Sequence, residues 1–265
     1  MKLAKIILAA ALGLSAASAF ADWQPYVGLG VGFLDGGFAT QVSTPPLYNK
    51  YYPGTNLKDS NSGAYNFSIN SGQLSPTFQV GISNQYNKIY VGFEASLWYN
   101  NNTYTSNTIN DNVYTSGGVF LNSADNQVIS NLHYNGSLTT QLGYFITPNF
   151  MPYVKLGVAA AKAGVTYNFN DIPDSSSSAS GTLFYTFAHP WMFGPTASLG
   201  GQYSFTQNLR GFAEVNYVKM WGSATPSGNI TAYGSGFPIN GPVTPFKQNY
   251  TFTSWTAEIG TNYYF

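Results

Sequence analysis

Residues Glu258–Phe265 read EIGTNYYF, and the sequence stops there on an aromatic residue, with two tyrosines just before it and no polar tail. Chain ends are ordinarily frayed and solvated, where an aromatic gains little. Extending the stretch back to Trp255 gives two faces. Trp255, Ala257, Ile259, Tyr263 and Phe265 share one parity, and Thr256, Glu258, Gly260 and Asn262 the other. Alternation with period two marks a strand that is apolar on one side and polar on the other.

The same alternation recurs along the chain. From Trp23 to Phe33, Val27, Leu29, Val31 and Phe33 oppose Gln24, Tyr26, Gly28, Gly30 and Gly32. From Leu74 to Asn84, Phe78, Val80 and Ile82 oppose Gln79, Gly81 and Ser83. From Lys88 to Asn100, Val91, Phe93, Ala95, Leu97 and Tyr99 oppose Gly92, Glu94, Ser96 and Trp98. From Val128 to Phe145, Leu132, Tyr134, Leu138, Leu142 and Tyr144 oppose Asn131, His133, Asn135, Ser137, Thr139 and Gln141. Val154, Leu156 and Val158 oppose Lys155, Gly157 and Ala159, after which the phase blurs near Gly164, as at a bulge. Two further segments, Pro190 to Phe205 and Leu209 to Trp221, complete about eight strands, the even number that single-chain outer-membrane barrels have.

The connections alternate in length. Asn84 to Lys88, Ile146 to Pro152 and Ser204 to Leu209 are short, whereas Asp35 to Gln73, Asn101 to Gln127, Asn170 to Gly181 and Gly222 to Lys247 are long and polar. Short turns on one rim and long loops on the other belong to a barrel with periplasmic turns and extracellular loops. The serine run Ser175 to Ser178 reads as a loop tip, so the chain is one domain. PYVGLGV at Pro25 to Val31 recurs as PYVKLGV at Pro152 to Val158, which reads as two strands solving one packing problem.

The rival architecture is a water-soluble ligand-binding barrel of lipocalin type, also eight-stranded. Its outer face would carry charge. Here the bulky apolar face is almost uninterrupted and suits lipid, while the small polar face suits a narrow filled lumen.

The start of the chain, MKLAKIILAAALGLSAASAFADW, has lysines at positions 2 and 5, an apolar core from Ile6 to Leu14, and small residues at Ala19 and Ala21. This is the pattern of a secretory signal peptide, residues 1–21, cleaved after Ala21, with Ala19 the weaker alternative. The apolar run is short for a membrane anchor, and beyond it nothing approaches the ~20 residues of a membrane helix. The mature domain is then 22–265, and a membrane-embedded form has to be a closed barrel.

Only 8% of residues are charged, 17% are aromatic, and there is no cysteine. Removing Lys2 and Lys5 from ten basic residues leaves eight against ten acidic ones, a balance that argues against nucleic acid. All seven aspartates fall in loops or at the mature N-terminus, but the three glutamates, Glu94, Glu214 and Glu258, have lumen parity with Lys155 and Arg210. Most of these charges lie roughly 8–18 Å above the periplasmic end. In a narrow barrel they have to pair or meet trapped water. The reading is a polar plug rather than a catalytic or gating carboxylate pair. Lys162 and Lys219 have lipid-face parity near the outer rim, where they can snorkel.

The opening strand PYVGLGVGF, the second PYVKLGV and the terminal EIGTNYYF resemble the small eight-stranded outer-membrane barrels, that is, OmpA-type transmembrane domains and opacity-protein-like surface antigens of Gram-negative bacteria. The resemblance covers the mature chain as architecture and implies an outer-membrane location. Its most specific part is polar-x-Gly-x-x-aromatic-x-aromatic, filled by Glu258, Gly260, Tyr263 and Phe265. It implies that the outer-membrane barrel-assembly machinery reads this end. No periplasmic domain is expected after the barrel, so peptidoglycan anchoring is not implied.

No enzyme is expected, and no cofactor. His133 and His189 do not converge for a metal. His133 is followed by Tyr134 and Asn135, not by the His-x-Ser of lipid A deacylases. The acidic pairs with His-Asp of omptin proteases are absent, and Gly28-x-Gly30-x-Gly32 precedes no helix that would make it a phosphate loop. The expected function is a structural or surface-interaction protein, adhesin- or antigen-like, whose loops meet a host or environmental ligand. A narrow pore or small-molecule conduit is the alternative, and a lipid-modifying enzyme the third reading. Expected partners are outer-membrane lipid and lipopolysaccharide, together with the assembly machinery.

Overall fold

The computed structural model describes residues 23–41, 58–59, 64–68, 73–99, 103–105, 109–114, 120–173, 182–225, 227–233, 238–242 and 248–265. The expected signal peptide with Ala21, and Ser175 to Ser178, lie outside the described residues. Eight long strands run alternately up and down: β1 Gln24–Gln41, β2 Gln73–Tyr86, β3 Ile89–Trp98, β4 Phe120–Tyr144, β5 Phe150–Pro173, β6 Trp191–Ser204, β7 Leu209–Ala224 and β8 Gln248–Tyr264. Each pairs antiparallel with its sequence neighbours. β8 pairs with β1 from Tyr26↔Tyr264 to Gln41↔Asn249, which closes the ring and leaves no free edge within it.

The short turns and both ends of the described chain share one rim. Asn87, at φ 55°, and Lys88 link β2 to β3, a left-handed position that asparagine tolerates. The other two turns are built alike. Thr147 Oγ1 accepts from Phe150 N at 3.0 Å, and Thr206 Oγ1 accepts from Leu209 N at 3.0 Å. The last residues are held from both sides. Phe265 N donates to Pro25 O at 3.0 Å, Tyr264 N donates to Asn208 O at 2.8 Å, and Asn208 Nδ2 donates to Tyr264 O at 2.7 Å.

The outer surface is an apolar belt. Leu29, Leu156, Leu199 and Ile259 are each more than 60% exposed, and Phe265 is 66% exposed. Covering one such side chain is worth about 1.5–3 kcal/mol, so the whole belt left in water would cost on the order of tens of kcal/mol. Exposed aromatics bound it: Tyr144, Tyr203, Tyr263 and Phe265 near the turns, and Tyr99, Trp191, Trp221 and Trp255 towards the other rim. Trp255 and Phe265 stand ten positions apart in the sequence. At ~3.3 Å per residue and ~40° tilt that separation is about 25 Å, the height of the apolar band of a membrane barrel. Lys219 stands on the outer face of the upper rim, its Nζ 5.6 Å from the Trp221 ring.

Two expectations need correction. Leu132 was expected to face lipid, but it is 2% exposed and packs inside. The pairing of β4 with β5 shifts between Leu132 and Tyr134, skipping His133, so residues beyond the shift reverse their facing. The irregularity lies on β4, opposite Lys162 and Ala163, rather than at Gly164. The side chain of His133 lies outside the described residues.

The long connections are also shorter than the sequence suggests. β1 continues to Gln41, β4 already begins at Phe120, β5 runs to Pro173 and β7 to Ala224. Further strands add to these extensions. Ala64–Ser68 pairs with β1, Ile109–Tyr114 with β4, and Thr182–Ala188 with β5. Ser227–Tyr233 then pairs with Thr182–Ala188, and Pro238–Pro242 with Ser227–Tyr233. Polar residues need not end a ladder whose backbone partners persist into water.

Candidate functional site

The inward face divides into layers. Nearest the turns is an aromatic floor of Tyr26, Tyr90, Phe145, Tyr153 and Tyr264, with Met151 packed among them, all buried. The Tyr26 and Tyr264 rings lie 5.0 Å apart, Tyr90 and Tyr264 hydroxyls meet at 3.0 Å, and Tyr264 OH donates to Gln202 Oε1 at 3.3 Å. Small inward residues make room for larger ones from adjacent strands. At Gly81 an added Cβ would stand 2.4 Å from the Tyr26 ring and 2.6 Å from Phe93 O.

Above the floor, Lys155 Nζ lies 2.9 Å from Glu94 Oε1 and 2.8 Å from Glu214 Oε2, with the side chains no more than 5% exposed. Glu94 comes from β3, Lys155 from β5 and Glu214 from β7. In an eight-stranded ring β3 and β7 are opposite, so one ammonium bridges the full width of the lumen. Each carboxylate receives a phenol as well: Tyr26 OH donates to Glu94 Oε2 at 2.9 Å, and Tyr153 OH donates to Glu214 Oε2 at 2.7 Å. Charge-assisted bonds of this length are the strong kind, and strongest where water is excluded.

Glu258 and Arg210 stand differently. Glu258 is in register with Glu214 on the neighbouring strand, but its carboxylate accepts from Gln79 Nε2 at 3.4 Å and from Thr77 rather than from an ammonium. Arg210 lies lower, over the Tyr264 ring at 4.1 Å and near the Tyr90 and Phe145 rings, each at 5.8 Å. It is held by aromatic faces rather than by a glutamate. The five charges of the expected cluster are therefore a triad, a neighbouring glutamate and a separate arginine.

Hydroxyls and amides line the next layer. Ser96 and Ser137 hydroxyls meet at 2.7 Å, and Thr196 and Ser198 hydroxyls donate to Asn216 Oδ1 at 2.8 and 3.2 Å. The free space there is about 20 Å³, room for about one water. Above it the interior turns apolar. Phe38, Leu132, Val165, Met192, Val218, Met220 and Phe252 are packed and buried, with Trp98 against them. The sequence reading missed this cap, because inward Met and Phe residues look like breaks in an alternating pattern. It also missed the two phenol donors. Their signal was present: Tyr26 and Tyr153 occupy the same place in the two PYV stretches, four strands apart.

His189 is exposed, and among the described residues no three His, Cys, Asp or Glu side chains are placed to hold a metal ion. Glu258, Gly260, Tyr263 and Phe265 lie on the strand that closes the ring. Glu258 and Gly260 point in, while Tyr263 and Phe265 point out and touch edge-to-face, their centroids 5.3 Å apart.

No protein-family model and no curated protein matches the chain. Solved structures similar to it include Ail, the attachment invasion locus protein of Yersinia pestis, in complex with the heparin analogue sucrose octasulfate. That match has 11% identity, covers 91% of this chain and 99% of that one, and has a TM-score of 0.36. The outer membrane protease OmpT from Escherichia coli matches at 10% identity over 91% and 97%, TM-score 0.38. The outer membrane protein OprG from Pseudomonas aeruginosa matches at 16% over 89% and 96%, TM-score 0.32. Likeness at this level carries no argument about ligand or activity.

Proposed function

We propose that this protein is an integral outer-membrane barrel with a sealed lumen, and that it acts through the walls it raises outside the cell. The observation that carries the reading is the contrast between its two ends. Inside, the Glu94–Lys155–Glu214 bridge and aromatic floor lie below and the apolar cap above a hydroxyl-lined pocket of about 20 Å³. Outside, β4 and β5 run past the upper aromatic ring. Lys162 on β5 pairs with Trp191, and the strand continues to Pro173, which at ~3.3 Å per residue and ~40° tilt is roughly 30 Å further. A sealed tube with a tall, hydrogen-bonded rim is suited to contact rather than passage. The contact is with a host or environmental surface, and the belt beneath is solvated by outer-membrane lipid and lipopolysaccharide.

In the same reading the closing strand is what the assembly machinery recognises. Tyr263 and Phe265 offer adjacent rings on the lipid face of a strand that has to be paired last to close the ring.

The test removes the raised connections one at a time, for example residues 106–127, and measures attachment of intact cells. Folded protein is checked as the unboiled, fast-migrating gel band. Retention of that band with loss of attachment in at least one deletion supports the reading. Unchanged attachment in every well-folded deletion refutes it.

A further inference from the structure

The lipid-facing surface carries little charge, and that charge is unevenly placed. Among the described residues, the outward charges at the upper rim are Lys162 on β5, Lys219 on β7 and Asp35 on β1. Both lysines are half-buried, and neither forms an ion pair with a described residue. Asp35 is in register with Trp255, two strands from Lys219 and two residues lower, about 12 Å away between Cα atoms. A lysine on the lipid side of a barrel keeps its charge by reaching the headgroup layer, and the upper aromatic ring marks that layer.

An aromatic plate stands between the two lysines. Trp191 is level with Lys162 and stacks on Phe193, their centroids 6.2 Å apart at 18°. Phe193 is level with Trp221, whose ring lies 5.6 Å from Lys219 Nζ. All three rings are about half exposed. Because Met192 is level with Gly222, Lys219 lies two strands across from Lys162 and four residues lower along β7. That puts the two Cα atoms about 16 Å apart. No acidic residue intervenes, since Glu214, lower on β7, is buried in the lumen.

We propose that the β5–β7 face of the upper rim holds one outer-leaflet glycolipid bearing two phosphates, one at Lys162 and one at Lys219. Trp191, Phe193 and Trp221 are the surface on which its sugars and the tops of its acyl chains lie. The inference rests on the outer-membrane reading above and goes beyond it by naming one site on one side of the belt. Charge complementarity selects the occupant. Each ammonium is a point charge suited to a phosphate, and at this spacing a headgroup with two phosphates meets both. A zwitterionic phospholipid has one phosphate and brings an amine of its own, which leaves a lysine unanswered. A free phosphate would leave the rings between the lysines bare.

The test is native mass spectrometry of the full barrel in phosphatidylcholine nanodiscs, titrated without divalent cations. The probes are bisphosphorylated lipopolysaccharide and the same glycolipid stripped of its phosphates. One bisphosphorylated molecule per barrel is the expected stoichiometry. Lys162→Met and Lys219→Met should each weaken its retention about 5-fold, and both together about 25-fold. Replacing both lysines by arginine should preserve it. All variants are first checked for the fast-migrating folded band. Equal retention by the double methionine variant would overturn the proposal, as would equal binding of the dephosphorylated glycolipid. Displacement by inorganic pyrophosphate at the same concentration would overturn it too, by making the site one for a free anion. These outcomes leave the outer-membrane reading standing, whereas a barrel that fails to insert into the nanodisc would remove that reading and the proposal with it.

Discussion

Lys155→Met isolates the bridge that spans the lumen. In the native barrel one ammonium lies 2.9 Å from Glu94 and 2.8 Å from Glu214, and is 3% exposed. The substitution keeps most of the stem's volume and removes the charge. Glu94 and Glu214 then retain only their phenol donors, Tyr26 and Tyr153. Breaking a buried ion pair by removing one partner costs about 3–5 kcal/mol. Here one cation serves two carboxylates, which sets the expectation near the upper end, about 5 kcal/mol, or a factor of at least about 10³ in the folded-to-unfolded ratio. The assay is the urea midpoint and slope for barrels refolded into vesicles. The triple variant Lys155→Met, Glu94→Gln, Glu214→Gln removes all three charges together and should recover to within about 1 kcal/mol of the parent, since the penalty belongs to uncompensated charge. A single variant within about 1 kcal/mol of the parent, or a triple variant as unstable as the single, would refute the reasoning.

Other outcomes follow from the same structure. Phe265→Ser removes a lipid-facing ring packed on Tyr263 and should lower the amount of fast-migrating folded band in outer-membrane fractions; a normal amount would count against a role in assembly. Gly81→Val drives a side chain into Tyr26 and Phe93 O and should cost about 1–3 kcal/mol by loosening the Tyr26–Glu94 bond, read as a lower urea midpoint. Protease added to intact cells should cut within residues 101–127 or 222–247, whereas cleavage only after the outer membrane is breached would mean the barrel is inserted the other way round.

The barrel was legible because its outer face is chemically uniform. Val27, Leu29, Val31 and Phe33, or Trp255, Ala257 and Ile259, declare their facing by parity alone, and lipid imposes the same demand on every strand. The interior was less legible because it answers to several neighbours. Glu94, Lys155 and Glu214 could be placed on the lumen side, but which of them touch depends on shear and register across the ring. Glu258 and Arg210 have the same parity, yet Glu258 faces Gln79 while Arg210 lies lower, in register with Asn262 and over a tyrosine ring. Leu132 was misplaced by a single skipped residue, which sequence periodicity sees only as noise. The cap of Phe38, Met192, Met220 and Phe252 lies level with the upper ring, Met192 and Met220 directly beside Trp191 and Trp221, and there apolar residues fill the inside as well as the outside, so the contrast between faces is lost.

Closure of the lumen is tested most directly by single-channel recording. The purified, unmutated protein is reconstituted in a planar bilayer, with insertion and orientation verified by protease protection. A lumen crossed by the Glu94–Lys155–Glu214 bridge and filled above and below by packed side chains should give little or no steady conductance. Large, stable, ion-selective openings would contradict it and would make the same glutamates a cation-selecting ring in a narrow pore.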